Sequence, residues 1–407
     1  MPLKYLWSLG LLSAAVCVHS TMHAQTLTTV YNFQGPPTDG SWPCAGVTKS
    51  ITGSLFGTTQ FGGQSGYGIA FEFDSGGSET VAHSFVGGTD GENPCAPLVP
   101  GPNGSLFGTT IFGGYAENGT VFEIENSQFT GAFDFRGGAN GAFPSGLDYA
   151  NGALYGTAPQ GGGGMCPGGC GIIFRLDRFG HETVLHTFQG PDGAYPSAGV
   201  IHDKFGNLYG TTEGGGDNHF CAPYGCGTVF KLDRSGQFSV LHSFTGGEND
   251  GWFVVRGVVL DSAGNLFGTT SGGGRWNLGT IYEIPKTGKE KIVYSFAGPP
   301  DGATPNQLVS GLDGKLYGTT YTGGDLNCYG LSGGCGTIFE ADKLGNEKVL
   351  YRFNGTTDGA QPTGAVLIDE QLNMYGTTQS GVKDGCPFSH GGCGTIWKLS
   401  SPASDSH

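Results

Sequence analysis

Ten of the eleven cysteines lie beyond residue 24, and eight of them form close local pairs: Cys166 with Cys170, Cys221 with Cys226, Cys328 with Cys335, and Cys386 with Cys393. Two chemistries use cysteines at such spacing. In an oxidising compartment an even set at short range reads as disulfides, each closing a small loop. Zinc is the rival, because His219 and His390 fall in two of the same segments. No four-ligand spacing recurs, however, and no metal site is assigned. The remaining two, Cys44 and Cys95, each follow a proline at the same phase of the chain. A bridge between them is expected, although spacing alone does not fix a pairing.

Histidine and aspartate offer other chemistry. His83, His186 and His242 occupy one phase of a recurring "VLHSF"-like phrase, where other copies carry Tyr31, Phe133, Tyr294 and Tyr351. A site that accepts His, Tyr or Phe wants a flat ring, so the histidines read as packing residues rather than proton carriers. The acids of a recurring "DG" (Asp39, Asp90, Asp192, Asp250, Asp301 and Asp358, with Asn140 in the seventh copy) read as turn residues. Their alternative is a crown around an axial channel holding calcium, the only cofactor left open. The aromatics that break the repeat are Trp42, Phe143, Tyr195, Trp252, Phe253, Trp276 and Tyr329. Rings beside Asn, Asp and Gly suit stacking on sugars and bonding of hydroxyls. Packing into loop gaps is the competing reading. Loop acids such as Glu213, Asp217, Asp325 and Asp384 exist, but no spacing selects a glycosidase pair, so no catalytic residue is assigned.

Residues 1–24 have the pattern of a signal peptide: Lys4, an apolar stretch from Leu6 to Val18, and Ala24 before the cut. Cys17 follows Val16, a poor match to a lipid-attachment site. Beyond residue 24 stand 34 acidic and 18 basic side chains, a net charge of −16. Nucleic acid and anionic lipid need a positive footprint and are excluded as partners. No further apolar stretch suggests membrane insertion, and a secreted monomer, extracellular or periplasmic, is expected. Residues 401–407 read as a short polar tail.

These residues need a frame, and the chain spells it out. "GSLFGTT", "GNLYGTT" and their variants recur seven times, with second glycines at 57, 108, 156, 210, 268, 318 and 376. A period of about fifty residues is that of propeller blades and kelch-like arrays. Three other phrases keep step with it, so each unit offers four short strands, as in "AGVIHD", "NLYGTT", "GTVFKL" and "FSVLHSF". "LTTVYNF" at Leu27–Phe33 is a fourth strand with no unit before it, and "GTIWKL" at Gly394–Leu399 is a third strand with no fourth after it. Together they complete one blade. The expected fold is an all-β, seven-bladed propeller of four-stranded blades over residues 25–400, closed by the N-terminal strand completing the last blade. In it the glycine of "YGTT" would let neighbouring backbone approach, and the β-branched threonines would suit a pleated strand.

The phrases "G-x-L-[FY]-G-T-T", "GG" and "GT-[VI]-F" resemble the GloVer tandem-repeat proteins of bacteria. The resemblance runs through essentially the whole chain after residue 24. It implies export and a repeat fold, and carries over no catalytic residue. Members often end in a sorting anchor; this chain departs from that pattern. The sequence therefore points to a secreted, non-catalytic binding module using a disulfide-stapled loop face, with glycan as the favoured ligand. The alternatives are an extracellular polysaccharide lyase or hydrolase and a scaffold for a protein partner.

Overall fold

A computed structural model describes residues 25–74, 76–216, 221–328, 333–381, 386 and 392–401. The expected signal segment and nearly all of the tail lie outside them. Seven antiparallel sheets form the ring. Blade 4 is typical, with strands Ile201–His202, Leu208–Thr212, Thr228–Leu232 and Phe238–Ser243 paired in chain order. Blades 1, 2, 3, 5 and 6 occupy residues 48–84, 92–134, 147–187, 259–295 and 302–352. Blade 7 takes three strands from 360–399 and its fourth from Leu27–Asn32, which pairs antiparallel with Thr395–Leu399. The ring is a seven-bladed β-propeller closed by its N-terminal strand, as expected.

The register explains the repeated glycine. In every blade it lies directly opposite the aromatic residue of strand three: Gly57 faces Phe71, Gly210 faces Phe230, Gly268 faces Tyr282 and Gly376 faces Trp397. A Cβ at these glycines would sit 2.3–2.8 Å from the facing ring in all seven blades. The glycine therefore makes room for a side chain, and the expectation of close backbone approach is corrected. The seated ring meets the fourth-strand Phe of the preceding blade edge-on. The pairs Phe33–Phe71, Phe85–Phe122, Phe135–Phe174, Phe188–Phe230, Phe244–Tyr282, Phe296–Phe339 and Phe353–Trp397 have centroids 5.0–5.8 Å apart. Such pairs contribute about 0.5–1.5 kcal/mol each beyond area burial. Seven apolar clusters, one per blade interface, surround them.

The threonines do more than suit a strand. The second of each "TT" shares a hydroxyl–hydroxyl bond with the strand-three threonine opposite, as in Thr110–Thr120 at 2.9 Å and Thr378–Thr395 at 2.7 Å. In blades 1 and 3 that opposite residue is Ile69 or Ile172. In six blades the first threonine donates to a carbonyl of the next blade, as in Thr157 to Ala198 O at 2.7 Å, Thr211 to Arg256 O at 2.9 Å and Thr377 to Ala45 O at 2.7 Å. These buried hydroxyls are thus satisfied while linking strands and blades.

Replacing Gly210 with Ala puts a methyl 2.5 Å from the Phe230 ring. Overpacking of this kind costs about 1–3 kcal/mol. Denaturant unfolding of Gly210→Ala should show that loss, whereas Gly131→Ala, at a strand position with open space and no left-handed backbone, should lose less.

Candidate functional site

The two ends of the ring differ. One carries tight turns built on aspartate: Asp203 Oδ1 accepts the N–H groups of Phe205 and Asn207, and Asp233 and Asp342 repeat the pattern. The other carries the long loops between strands two and three and between strand four and the next strand one. Its cysteines form five disulfides: Cys166–Cys170, Cys221–Cys226, Cys328–Cys335, Cys386–Cys393 and Cys44–Cys95, with Cα atoms 5.0–5.4 Å apart. The first four close single loops; the fifth joins blades 1 and 2. The cysteine sulfurs are thus engaged, which removes the thiolate zinc reading; His219 and His390 lie outside the described residues.

Each stapled loop holds the next blade in place. The carbonyls of Cys170, Cys226, Cys335 and Cys393 accept the backbone N–H of Tyr195, Phe253, Gln361 and Trp42 at 2.9–3.2 Å. The same contact is made by Tyr67, Asn118 and Leu278 to Asn93, Phe143 and Thr304. All seven receiving residues have φ between 54° and 63°, a left-handed conformation that costs a side-chain-bearing residue about 1–2 kcal/mol. Retaining it at one phase of seven blades, with aromatics in four, is a feature of this face.

Four of the expected ligand-binding rings, Trp42, Phe143, Tyr195 and Phe253, thereby stand at the left-handed position of four different blades around the mouth of the ring. Trp42 packs edge-on against Phe61 at 5.5 Å, and Phe143 against Phe112 at 5.4 Å. The Tyr195 hydroxyl donates to Pro167 O at 3.4 Å. Phe253 is 41% exposed and Trp276 53%, the latter with the Arg275 guanidinium 5.0 Å from its ring. Trp252 is half-buried and its Nε1 donates to Asn277 Oδ1 at 2.9 Å. Blade 5 thus gathers Trp252, Phe253 and Trp276, while Trp42, Phe143 and Tyr195 stand apart on their own blades. Tyr329 lies outside the described residues.

The "DG" acids are placed at the outer seams. Asp90 and Asp192 bind the His83 and His186 rings at 2.9 Å, and Asp250 binds His242 at 3.3 Å. Asp39, Asp301 and Asp358 accept the Tyr31, Tyr294 and Tyr351 hydroxyls at 2.7–3.0 Å. They also accept loop N–H groups, as Asp250 does from Thr245 and Gly251. The histidines pack as flat rings: His186 stacks on Phe238 of the next blade at 3.7 Å, and His83 on Phe129 at 4.2 Å. Sequence reasoning missed the third member of the seam. Glu79, Glu290 and Glu347, each four residues before the ring position of the following blade, close on Asp39, Asp250 and Asp301. Burial first, and the neighbouring aspartate beside it, push these three glutamates up to about 7. The signal was available as a recurring Glu at one phase of strand four. His242, Asp250 and Glu290, with ligand atoms within 4.8 Å of one another, are the described trio with metal-holding composition.

On the axis lies a cavity of about 410 Å³, walled by first-strand residues from several blades and by Cys44 and Cys95. Its lining is mostly small and neutral, and Arg256 is its one charged residue among the described residues. Of the loop acids, Glu213 is half-buried, and burial raises its carboxyl; Asp325 binds Asn327; Asp217 and Asp384 lie outside the described residues.

Fold and site together define a seven-bladed propeller with one trimmed end and one disulfide-stapled, ring-bearing end. Residues 14–168 and 149–331 match the Gloeobacter/Verrucomicrobia repeat, and the chain belongs to that family. No curated protein matches it in sequence. Among solved structures, the extracellular domain assigned to a one component system of B. thetaiotaomicron is 12% identical with a TM-score of 0.54, covering 94% of this chain and 42% of that one. The chain therefore spans less than half the length of that protein. A gluconolactonase of Xanthomonas campestris is 11% identical, TM-score 0.43, over 92% and 89% of the two chains. A PQQ-bound aldose sugar dehydrogenase of Streptomyces coelicolor is 14% identical, TM-score 0.45, over 75% and 93%. At these identities the likeness is one of fold alone. No helix among the described residues is long and apolar enough to cross a membrane.

The seam glutamates set a pH dependence. A carboxyl raised by the fold binds its proton more tightly than in the unfolded chain, so its contribution is complete below about pH 4.5 and lost as pH rises through 7. At the trimmed end the sign is opposite: hydrogen bonds from the Ser235 and Asn346 side chains hold Asp233 and Asp342 below the usual range, and their contribution is lost in acid. Thermal unfolding should therefore show Tm falling between pH 5 and pH 8 and again in strong acid. Glu79→Gln, Glu290→Gln and Glu347→Gln combined should flatten the first slope and leave the second.

Proposed function

We propose that this chain is an exported, non-catalytic binding module that holds glycan on its stapled loop face. Five disulfides suit an oxidising compartment. The observation that carries the binding reading is the ring of left-handed residues before strand one. Its backbone is pinned by loop carbonyls, and it carries Phe253 exposed and Trp42, Phe143 and Tyr195 part-buried. Rigid aromatic side chains on a pre-ordered backbone contribute stacking area at low entropic cost. Trp252 and Trp276 extend the surface on blade 5, with Asn277 between them to bond a hydroxyl. The pairs Asp39–Glu79, Asp250–Glu290 and Asp301–Glu347 are engaged with fourth-strand rings in the outer seams, which favours binding over hydrolysis there; Glu92, beside Glu117 and Asp90, is a carboxylate group outside those seams.

The test is retention of the oxidised mature protein on immobilised polysaccharides, with calcium and with chelator. Retention without product release is expected. Release of shortened product would move the assignment to a lyase or hydrolase, and no retention on any polymer would favour a protein partner. Loss of retention in chelator would assign calcium to the face. Phe253→Gly separates binding from packing. Glycine relieves the left-handed strain while removing an exposed ring, so unfolding free energy should stay within about 1 kcal/mol of the parent. Retention should fall several-fold. A ring that merely fills a loop gap would give the reverse pattern.

A further inference from the structure

The axial cavity contains a cation that the framework does not require. At the phase of Arg256, three residues after the left-handed position, the other blades carry Ala45, Ala96, Gly146, Ala198, Gln307 and Gly364, all uncharged and all but Gln307 small. Arg256 lines the cavity, and no carboxylate among the described residues forms an ion pair with it. Its Nη2 donates to Asn306 Oδ1 at 2.9 Å, and its Nε is sealed from solvent without a hydrogen-bond partner. Asn306 is 1% exposed, and its amide nitrogen is spent on Thr319 Oγ1 at 2.9 Å and Pro362 O at 2.7 Å. That network turns the Asn306 oxygen toward the guanidinium and fixes its orientation. The guanidinium stays charged. Arg256 is partly exposed to the cavity, so an anion entering there meets a cation for which no described carboxylate competes. It is also a local reversal of sign in a chain of strongly negative net charge.

We infer that the axial cavity is an anion site in which Arg256 receives the carboxylate of an acidic sugar, a uronate. The sugar part rests on the glycan reading above; the carboxylate part rests on Arg256 itself. The planar guanidinium fork suits a carboxylate. One cation among neutral hydroxyls and amides, Ser145, Ser197, Thr109 and Gln307, matches a single negative charge rather than a doubly charged phosphate or sulfate. The volume, about 410 Å³, is at the small end of ligand pockets and suits one or two rings. Phe143 lines the same cavity and belongs to the ring of left-handed residues, so a chain lying on the loop face can present a uronate to the axis.

The experiment is calorimetric titration of the oxidised mature protein with galacturonate, galactose, acetate and sulfate at low ionic strength. Galacturonate should bind about tenfold or more tightly than galactose, the scale of one charge-assisted hydrogen-bonded pair. Arg256→Gln should abolish that preference, and Arg256→Lys should restore only part of it. Ser145→Leu, which fills the cavity and leaves the cation in place, should block galacturonate. Galacturonate should also raise the Tm of the unaltered protein, a readout independent of how any variant folds. Equal binding of galacturonate and galactose, or a preference that survives Arg256→Gln, would overturn the proposal, while retention on neutral polysaccharide would leave the glycan reading standing. Sulfate binding as tightly as galacturonate would overturn the carboxylate assignment. Arg256-dependent binding of acetate as tight as that of galacturonate, with no polysaccharide retained, would overturn the sugar part together with the glycan reading.

Discussion

The structure depends on one contact: an aromatic ring of strand three lying in the notch left by a glycine of strand two and meeting the fourth-strand Phe of the preceding blade. Without the notch the ring could not lie against its own sheet. Without the ring the interface would lose its largest buried side chain. Trp397 and Tyr282 occupy the same notch as the phenylalanines, and the centroid separation stays within 5.0–5.8 Å. Near-constant geometry at every interface lets seven blades close without accumulating error. The interface that includes the chain's N-terminus, Phe33 against Phe71, is built like the others.

Because strands two, three and four carry the packing, the loops at one end are free to diverge. Their divergence is still coupled to the frame through backbone. A disulfide orders a loop whose cysteine carbonyl accepts the N–H of the next blade's left-handed residue, so the staple and the ring it helps position belong to different blades. The loop face is thus assembled at blade interfaces, and each presented aromatic depends on two units.

The outer seams show how a repeat position is reused. The ring of one blade, the loop acid beside it and the residue four places before the next ring form one unit. Where the ring is His83 or His186 the third member is Phe129 or Phe238 and the ring stacks. Where it is Tyr31 or Tyr294 the third member is Glu79 or Glu347 and the hydroxyl is shared among carboxyls. The His242 seam mixes the two patterns, combining a histidine with Glu290.

Much of the architecture was legible in sequence, because period, strand phrases and the split blade are local or periodic properties of the chain. Blade number, the closing strand, the family and the division into trimmed and elaborated ends could all be read from that period. The role of the repeated glycine could not, since a missing Cβ reveals a vacancy without saying whether backbone or ring fills it. Only register, placing Gly210 opposite Phe230, decided for the ring. The "DG" acids were legible as turns, but their partners on strand four and on the next blade were not, because those contacts join residues about 5 to 50 positions apart. Arg256 was legible only as the charged member of a phase that otherwise reads Ala, Gly or Gln. The sequence by itself determined which residues recur and therefore form the frame. Tertiary structure decided which groups converge: the carbonyl-pinned aromatics at the mouth, the seam carboxyls, and a lone guanidinium on the axis. Convergence on an axis depends on closure of the whole ring, and no single repeat contains it.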